Sequence, residues 1–174
     1  MRQVPKYLVI GSGRMARHFC HYLQLLKLPF QNWSRKNNSL EELVKFSESC
    51  SQVLILISDS SIEDFYTEYA FLHTKICVHF SGCLVLANVA SAHPLMTFGQ
   101  ELYDLKTYQS IPFVLEDGGS VFAELLPGLS NRNFKIPKEL KPLYHALGVM
   151  ATNFTTLLWQ KVTQKMQDTS QLPP

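Results

Sequence analysis

Residues 6–23 read KYLVIGSGRMARHFCHYL, and this stretch decides the fold. Its apolar run at residues 7–10 is typical of a strand buried on both faces of a parallel sheet. Small residues follow at once, with Gly11, Gly13 and Ala16 in the spacing G-x-G-x-x-A. Apolar residues then recur at helical spacing to the end of the stretch. The sequence therefore predicts a strand, a tight turn and a helix in direct succession.

The small residues of this turn suit the phosphates of a dinucleotide. Gly11 allows the sharp turn, Gly13 lets the backbone approach a pyrophosphate, and Ala16 lets the helix pack close to the strand. Free N–H groups at the start of the helix then face the phosphates. An ordinary glycine turn of an α/β protein is the alternative, and the strand–turn–helix context favours the nucleotide site.

The composition is that of a globular protein. The 174 residues are 46% hydrophobic and 17% charged with a formal net charge of +2, which disfavours disorder and a nucleic-acid partner. No charged-then-apolar leader is visible and the apolar runs are too short to span a bilayer, so we expect a cytoplasmic protein with no membrane partner. Four cysteines without C-x-x-C spacing and six scattered histidines predict reduced thiols and no metal site.

The end of a second predicted strand, at residues 30–33, indicates the type of cofactor. A carboxylate there would bind the ribose 2′-hydroxyl of NAD, whereas this sequence has Ser34, Arg35 and Lys36. These side chains suit a 2′-phosphate through charge-assisted hydrogen bonds, which favours NADP. A solvated turn with two exposed cations is the alternative.

The rest of the chain continues an α/β pattern. The spacing S-x-x-E at residues 39–42 and again at 60–63 predicts two capping boxes, each opening a helix. The predicted fold class is α/β, with a Rossmann-type, mostly parallel sheet and flanking helices, followed by one long C-terminal helix. We expect a dinucleotide-binding domain at residues 1–136 and a helix with a tail at 137–174. The further predicted strands are at 53–57, 76–80, 111–116 and 133–136, the last two being candidates for antiparallel pairing, with a helix at 121–126.

Polar residues lie near the carboxyl ends of the predicted strands, where open α/β sheets bind ligands. Ser58 and Asp59 either line the nicotinamide end of the cofactor or serve only a helix cap. His93 is held extended by Pro94 and is a candidate for substrate contact. A structural turn residue is the alternative for His93.

The C-terminal segment has a helical pattern over residues 138–166. Its apolar residues form a wide stripe that no later segment covers: Leu143, Leu147, Met150, Phe154, Leu157, Leu158 and Val162. Because large exposed apolar patches are rare on monomers, we expect a homodimer through this helix. Packing of the stripe against its own sheet is the alternative.

Six segments carry a family resemblance: GSGRMA at 11–16, SDSSIEDF at 58–65, HFSGCL at 79–84, SAHPLMTF at 91–98, IPFVLEDG at 111–118 and YHALGVMATNF at 144–154. With them the chain resembles the Rossmann-like NADP-binding proteins of the 6-phosphogluconate dehydrogenase and pyrroline-carboxylate reductase superfamily. It is most similar to the branch in which a helical domain of unknown function follows the Rossmann domain. That helical domain would here be truncated, leaving the long helix as its remnant.

The resemblance implies a set of cofactor contacts along the first half of the chain. NADP would bind at Gly11, Ser12, Gly13, Arg14 and Met15, with Ser34 and Arg35 at the adenosine phosphate and Ser58 and Asp59 towards the nicotinamide. The long helix would close the site. There His145 is a candidate general acid and Asn153 a candidate to hold a substrate oxygen, since the two fall on roughly one side of the helix.

Two functions agree with these features. The first is an NADP-dependent oxidoreductase acting on a small carbonyl, imine or hydroxy compound, with His145, Asn153 and His93 as catalytic candidates. The superfamily's catalytic lysine pattern is not evident on the long helix, and the chain ends where the family continues. The alternative is therefore a non-catalytic NADP-binding regulatory or structural dimer.

Overall fold

The computed structural model describes residues 6–170, in which seven strands form one sheet in the order β2-β1-β3-β4-β5-β6-β7. Strands β5 and β6 pair antiparallel, and the other neighbouring strands pair in parallel. The predicted Rossmann-type α/β class is confirmed. The strands are β1 Tyr7–Ile10, β2 Phe30–Trp33, β3 Gln52–Ile55, β4 Ile76–His79, β5 Ala90–Pro94, β6 Phe113–Glu116 and β7 Asn133–Ile136.

Helices cover both faces of this sheet and follow it at the C-terminal end. Three short 3-10 turns, at Asp59–Ser61, Ala70–Thr74 and Lys138–Leu140, join some of them. The helices are α1 Arg14–Leu25, α2 Leu40–Glu48, α3 Ile62–Glu68, α4 Leu105–Ser110, α5 Phe122–Leu125, α6 Lys141–Val149 and α7 Thr155–Ser170.

The sheet is buried on both faces because alternate residues of its central strands enter two separate hydrophobic clusters. Val9 of β1 packs in one cluster with Phe19 of α1. Leu8, on the other face of the same strand, packs in the second cluster with Leu43 of α2 and Phe65 of α3. This burial explains the continuous apolar run from which β1 was predicted.

Several element bounds differ from the sequence predictions. The bounds of β1, β2 and β7 are as predicted, whereas β3 begins one residue earlier and ends at Ile55. The predicted helix at 121–126 is a single turn. Strand β5 and helix α4 were not predicted, because Ala90–Pro94 mixes polar and apolar residues and Leu105–Ser110 is too short to show a period.

Of the two predicted capping boxes, only the first forms. Ser39 Oγ accepts from the Glu42 N–H at 3.3 Å, and Glu42 Oε2 accepts from the Ser39 N–H at 2.9 Å. The second prediction, at residues 60–63, is wrong. A 3-10 turn occupies Asp59–Ser61, and α3 begins only at Ile62 without a side-chain cap.

The C-terminal segment is helical as predicted, but it is not one uniform α-helix. A π-helical turn at Met150–Phe154 separates α6 from α7. The predicted apolar stripe is exposed along this segment, with Phe154 at 58% and Leu158 at 64% relative exposure. Across residues 6–170, no helix is both long and apolar enough to cross a membrane.

Candidate functional site

A cavity of about 590 Å³ lies at the carboxyl ends of β1, β2 and β3. We call it the glycine-turn cavity. The turn between β1 and α1 forms one wall, and the segments that follow β2 and β3 form the others. The predicted residues that line it are Gly11, Ser12, Gly13, Arg14, Met15, Ser34, Arg35 and Ser58, together with Lys36.

The two glycines of the turn have different physical reasons to lack a side chain. Gly11 has φ +130°, and a Cβ there would lie 2.3 Å from the carbonyl oxygen of Leu56, so the fold itself requires glycine. Gly13 has φ −76° and ψ −177°, which any residue adopts, and a Cβ there would meet no atom within 4 Å. Neither backbone nor packing therefore explains Gly13, which borders the open cavity.

The N-terminus of α1 presents its backbone N–H groups to this cavity. Its N-cap is Gly13, which has no side chain to accept from them, and its first turn carries no acidic residue. Because no side chain caps these N–H groups and no acidic residue offsets the positive end of the helix dipole, the start of α1 favours binding of an anion. Arg14 in the same turn donates from Nη1 to the Phe98 carbonyl at 3.1 Å, which ties the loop after β5 to the helix start.

The cavity wall after β2 carries polar groups suited to a phosphate. Ser34 Oγ is buried and has no hydrogen-bond partner among residues 6–170. Arg35 forms an ion pair with Glu68 and lies over the Tyr69 ring, with Cζ 5.7 Å from the ring centroid. Both charged side chains are more than half exposed, so the pair is weak and Arg35 is free to turn into the cavity.

Asp59 lies beyond Ser58, next to the segment that follows β4. Its Oδ2 accepts from Ser81 Oγ at 2.5 Å and lies 3.7 Å from Cys83 Sγ. Asp59 is not among the residues that line the glycine-turn cavity. Ser58 and Asp59, although adjacent in sequence, therefore belong to two different parts of the site.

Three side chains and a glycine meet at the carboxyl ends of β4 and β5; we call His93, Tyr144, His145 and Gly82 the histidine cluster. His93 Nδ1 lies 3.0 Å from the Tyr144 hydroxyl, and the rings of His93 and His145 are 5.4 Å apart. The His145 imidazole lies directly on Gly82, where a Cβ would come within 2.1 Å of Nδ1. The structure thus brings together two of the predicted catalytic residues, His93 and His145.

Two histidines near this point, the buried His79 and the half-buried His93, are held neutral at pH 7. Burial lowers the pKa of His93 to about 4, and the charges of His145 and Lys141 act in the same direction. Burial and Lys141 likewise lower the pKa of His79 to about 4, and its ring nitrogens have no partner within the described chain. Asp59 opposes both shifts.

Asn153, the third predicted catalytic residue, lies in the π-helical turn. In a regular α-helix, residues eight apart differ by about 80° around the axis. The wider turn, with i→i+5 hydrogen bonds, advances less per residue and so brings Asn153 nearer to the His145 side of the helix. Asn153 Oδ1 accepts from Thr97 Oγ1 at 3.5 Å, which joins it to the loop after β5 rather than to the histidine cluster.

A buried ion pair beside the histidine cluster was not predicted. Lys141, which is 1% exposed, donates from Nζ to Glu116 Oε1 at 2.8 Å. Glu116 carries a signal that could have found it, because it is a carboxylate inside the apolar run FVLE. Lys141 has no such signal in the sequence, since its neighbours do not distinguish it from the exposed Lys138.

All four cysteines are free thiols, of which Cys83 is exposed. Within residues 6–170, no group of three or more histidine, cysteine or carboxylate side chains is arranged to hold a metal ion.

Comparison with known proteins places the fold. Neither a family model nor a curated protein sequence matches the chain. A candidate NADP oxidoreductase from Bacteroides fragilis superposes with a TM-score of 0.70 and 19% identity, over 94% of this chain and 73% of that one. The chain shares the fold of that protein.

Two further solved structures support the same fold. A protein from Thermotoga maritima gives a TM-score of 0.68 and 23% identity, over 97% of this chain and 71% of the other. A pyrroline carboxylate reductase from Plasmodium falciparum with NADP bound gives a TM-score of 0.64 and 8% identity, over 95% of this chain and 70% of the other. These similarities confirm the Rossmann-type fold that the resemblance predicted.

Proposed function

We propose that this chain binds NADP in the glycine-turn cavity and acts as an NADP-dependent oxidoreductase on a small carbonyl, imine or hydroxy compound. Gly13 is the observation that carries the proposal. Its missing side chain is needed neither for its backbone angles nor for packing, and it opens onto a cavity at the start of an uncapped helix. A pyrophosphate seated on that helix start requires this opening.

The residues present fit the phosphorylated cofactor. The backbone of residues 11–15 would hold the pyrophosphate, while Ser34 Oγ and Arg35 would hold the 2′-phosphate through charge-assisted hydrogen bonds. Ser34 Oγ would thereby gain the partner that it lacks within the described chain. Two proteins of similar fold support the choice of NADP: the candidate NADP oxidoreductase of Bacteroides fragilis and the NADP-bound pyrroline carboxylate reductase of Plasmodium falciparum.

The histidine cluster supplies the proton chemistry in this proposal. Bound NADP provides the hydride acceptor or donor. The His145 imidazole holds the proton for the substrate oxygen or nitrogen, and Gly82 allows it to lie at the strand ends. Neutral His93, paired with the Tyr144 hydroxyl, orients the substrate, and Asn153 holds a substrate oxygen.

Calorimetry with NADPH and NADH tests the binding part of this proposal. We expect NADPH to bind more tightly than NADH, because the wall after β2 offers cations and no carboxylate for the ribose. A panel of small ketones, imines and hydroxy acids, followed by absorbance of the reduced nicotinamide, tests the reaction. Absence of binding heat with both dinucleotides would overturn the assignment.

A non-catalytic NADP-binding dimer is the second candidate. The observation that favours it is the position of Asn153, whose Oδ1 accepts from Thr97 Oγ1, so that the three predicted catalytic side chains do not converge on one point. In this case NADPH would raise the melting temperature while the substrate panel gave no turnover. A cytoplasmic location is part of both candidates.

We further propose that the apolar stripe of α6 and α7 forms a homodimer interface. Leu147, Phe154 and Leu158 are each more than half exposed, and such patches are rarely left uncovered. Sedimentation should show a dimer for the unmodified chain and a monomer for Leu158→Glu. The matched variant Thr163→Glu, which adds the same charge on the opposite side of α7, should remain dimeric.

A further inference from the structure

The ammonium group of Lys141 makes a buried contact that the proposed chemistry does not use. Its Nζ donates to Ser91 Oγ at 2.6 Å, to Glu116 Oε1 at 2.8 Å and to the Leu84 carbonyl. An ammonium has three N–H groups, so all of its donors are engaged. Lys141 therefore has no free lone pair and does not act as a nucleophile. Its role is to be sought in the segments that its three hydrogen bonds connect.

Lys141 joins the start of α6 to three separate segments. Leu84 lies in the loop after β4, Ser91 in β5 and Glu116 in β6. Lys141 is also the one residue of α6 that is buried; the apolar Leu143 and Leu147 are more than half exposed. The helix is therefore attached to the sheet by polar side chains, of which Lys141 is the most buried, and not by an apolar face.

The face of α6 that Lys141 fixes is the face that carries the histidine cluster. Tyr144 and His145 follow Lys141 by three and four residues, and side chains at these spacings lie on the same side of a helix. Tyr144 hydrogen-bonds to His93, and His145 lies against His93 and Gly82. A small rotation of α6 about its own axis would separate these groups.

We infer that Lys141 and Glu116 are a positioning pair, which holds α6 on the sheet and so sets the approach of His145 and Tyr144 to His93. The inference rests on the proposed function only for the catalytic roles of those side chains. A pair kept for stability alone would be replaceable, since well-packed apolar residues of similar volume substitute for buried ion pairs at little cost. A positioning pair could not be replaced in this way, because apolar side chains make no hydrogen bonds that fix the orientation of α6.

The double variant Glu116→Met/Lys141→Met separates these two roles. It removes both charges while keeping the volume, so we expect the sheet to stay folded and the melting temperature to change by only a few degrees. Nuclear Overhauser contacts between the His93 ring and the Tyr144 and His145 rings should be lost. The control Lys138→Met, which removes an exposed charge one turn earlier, should keep them. A double variant that keeps these ring contacts would overturn the inference.

Amide exchange of the Leu158→Glu chain, in which the proposed dimer interface cannot protect α7, provides a second measurement with the ion pair intact. If the pair anchors α6, amides of residues 143–149 should exchange at least about tenfold more slowly than those of 155–169, where the helix has no such anchor. Ser91→Ala, which removes one acceptor without changing charge, should narrow that difference. Equal exchange in α6 and α7 would refute the anchor. Neither experiment uses nucleotide or substrate, so a failure here is distinct from a failure of NADP binding.

Discussion

The glycine-turn cavity and the histidine cluster lie side by side along the carboxyl ends of one sheet, but they are held in place in different ways. The cavity is formed by residues that directly follow β1, β2 and β3, so the hydrogen bonds of the sheet fix its walls. The histidine cluster joins β5 to α6, about fifty residues apart in sequence, through one hydrogen bond and ring contacts. We therefore expect that a shift of α6 leaves nucleotide binding unchanged but slows the chemical step.

The largest effect is expected for Gly13→Asp, which tests whether the glycine-turn cavity binds the nucleotide. The added carboxylate would enter the cavity beside the N–H groups of α1, where the pyrophosphate is proposed to bind, so NADPH binding should fall below detection by calorimetry. Because a Cβ at this position would meet no atom within 4 Å and Asp is a favourable N-cap residue, the melting temperature without nucleotide should stay unchanged or rise slightly. Unchanged affinity in this variant would show that the cavity is not the nucleotide site.

The variant Gly82→Ala tests the other region in isolation. A methyl group there would displace the His145 imidazole, since the Cβ position lies 2.1 Å from Nδ1. We expect turnover to fall by about 10²-fold, as for loss of a general acid, and NADPH affinity to stay the same. His145→Ala should produce a similar loss, and the two changes together should cost no more than either one.

Gly148→Ala is the matched control for that substitution. Its Cβ would meet nothing within 4 Å, and it lies on the same helix as His145. Full activity in Gly148→Ala with loss in Gly82→Ala would assign the effect to the imidazole. Equal activity in all three chains would remove His145 from the mechanism.

Arg35→Ala tests whether the cavity distinguishes NADPH from NADH, and its expected effect is smaller. Loss of a charge-assisted hydrogen bond to the 2′-phosphate costs about 1.5–3 kcal/mol, so the dissociation constant for NADPH should rise by about tenfold or more. The constant for NADH, which lacks that phosphate, should not change. Lys106→Ala removes an exposed charge away from the cavity and should affect neither ligand.

The smallest expected effect concerns acid stability. The pKa of His79 is about 4 in the folded chain, against about 6.5 unfolded, so between these values the unfolded chain binds a proton that the folded one does not. Folding stability is then intact above pH 6.5 and falls as the pH drops towards 4. His79→Leu should flatten the decline in melting temperature over this window by a few degrees, whereas exposed His73→Gln should leave it unchanged.

The parts of the molecule that could be predicted are those encoded locally. The run YLVI, the glycine spacing after it and the cations after Trp33 are each contiguous in sequence, and the strands carry them to one edge of the sheet. Parallel strands with both faces buried have a strong apolar signature. The α/β class and most lining residues of the cavity followed from these features.

The remaining parts depend on contacts between distant residues. Strand β5 is recognisable only from its neighbours in the sheet, since its sequence ASAHP contains no β-branched residue and no Phe, Tyr or Trp, and ends in proline. Gly82 gives no sign in sequence that an imidazole from α6 will lie on it. The partnership of Lys141 with Glu116 likewise arises only when α6 packs across β5 and β6.

The π-helical turn sets the direction of everything that follows it. If the same residues formed a regular α-helix, each would advance by about 100°, more than in the wider turn, and α7 would be rotated about its axis relative to α6. The exposed leucines of α7 would then face another quadrant, while α6 stayed where its lysine holds it. One surplus residue in a helix thus governs which way the chain's longest apolar surface is offered to a second molecule.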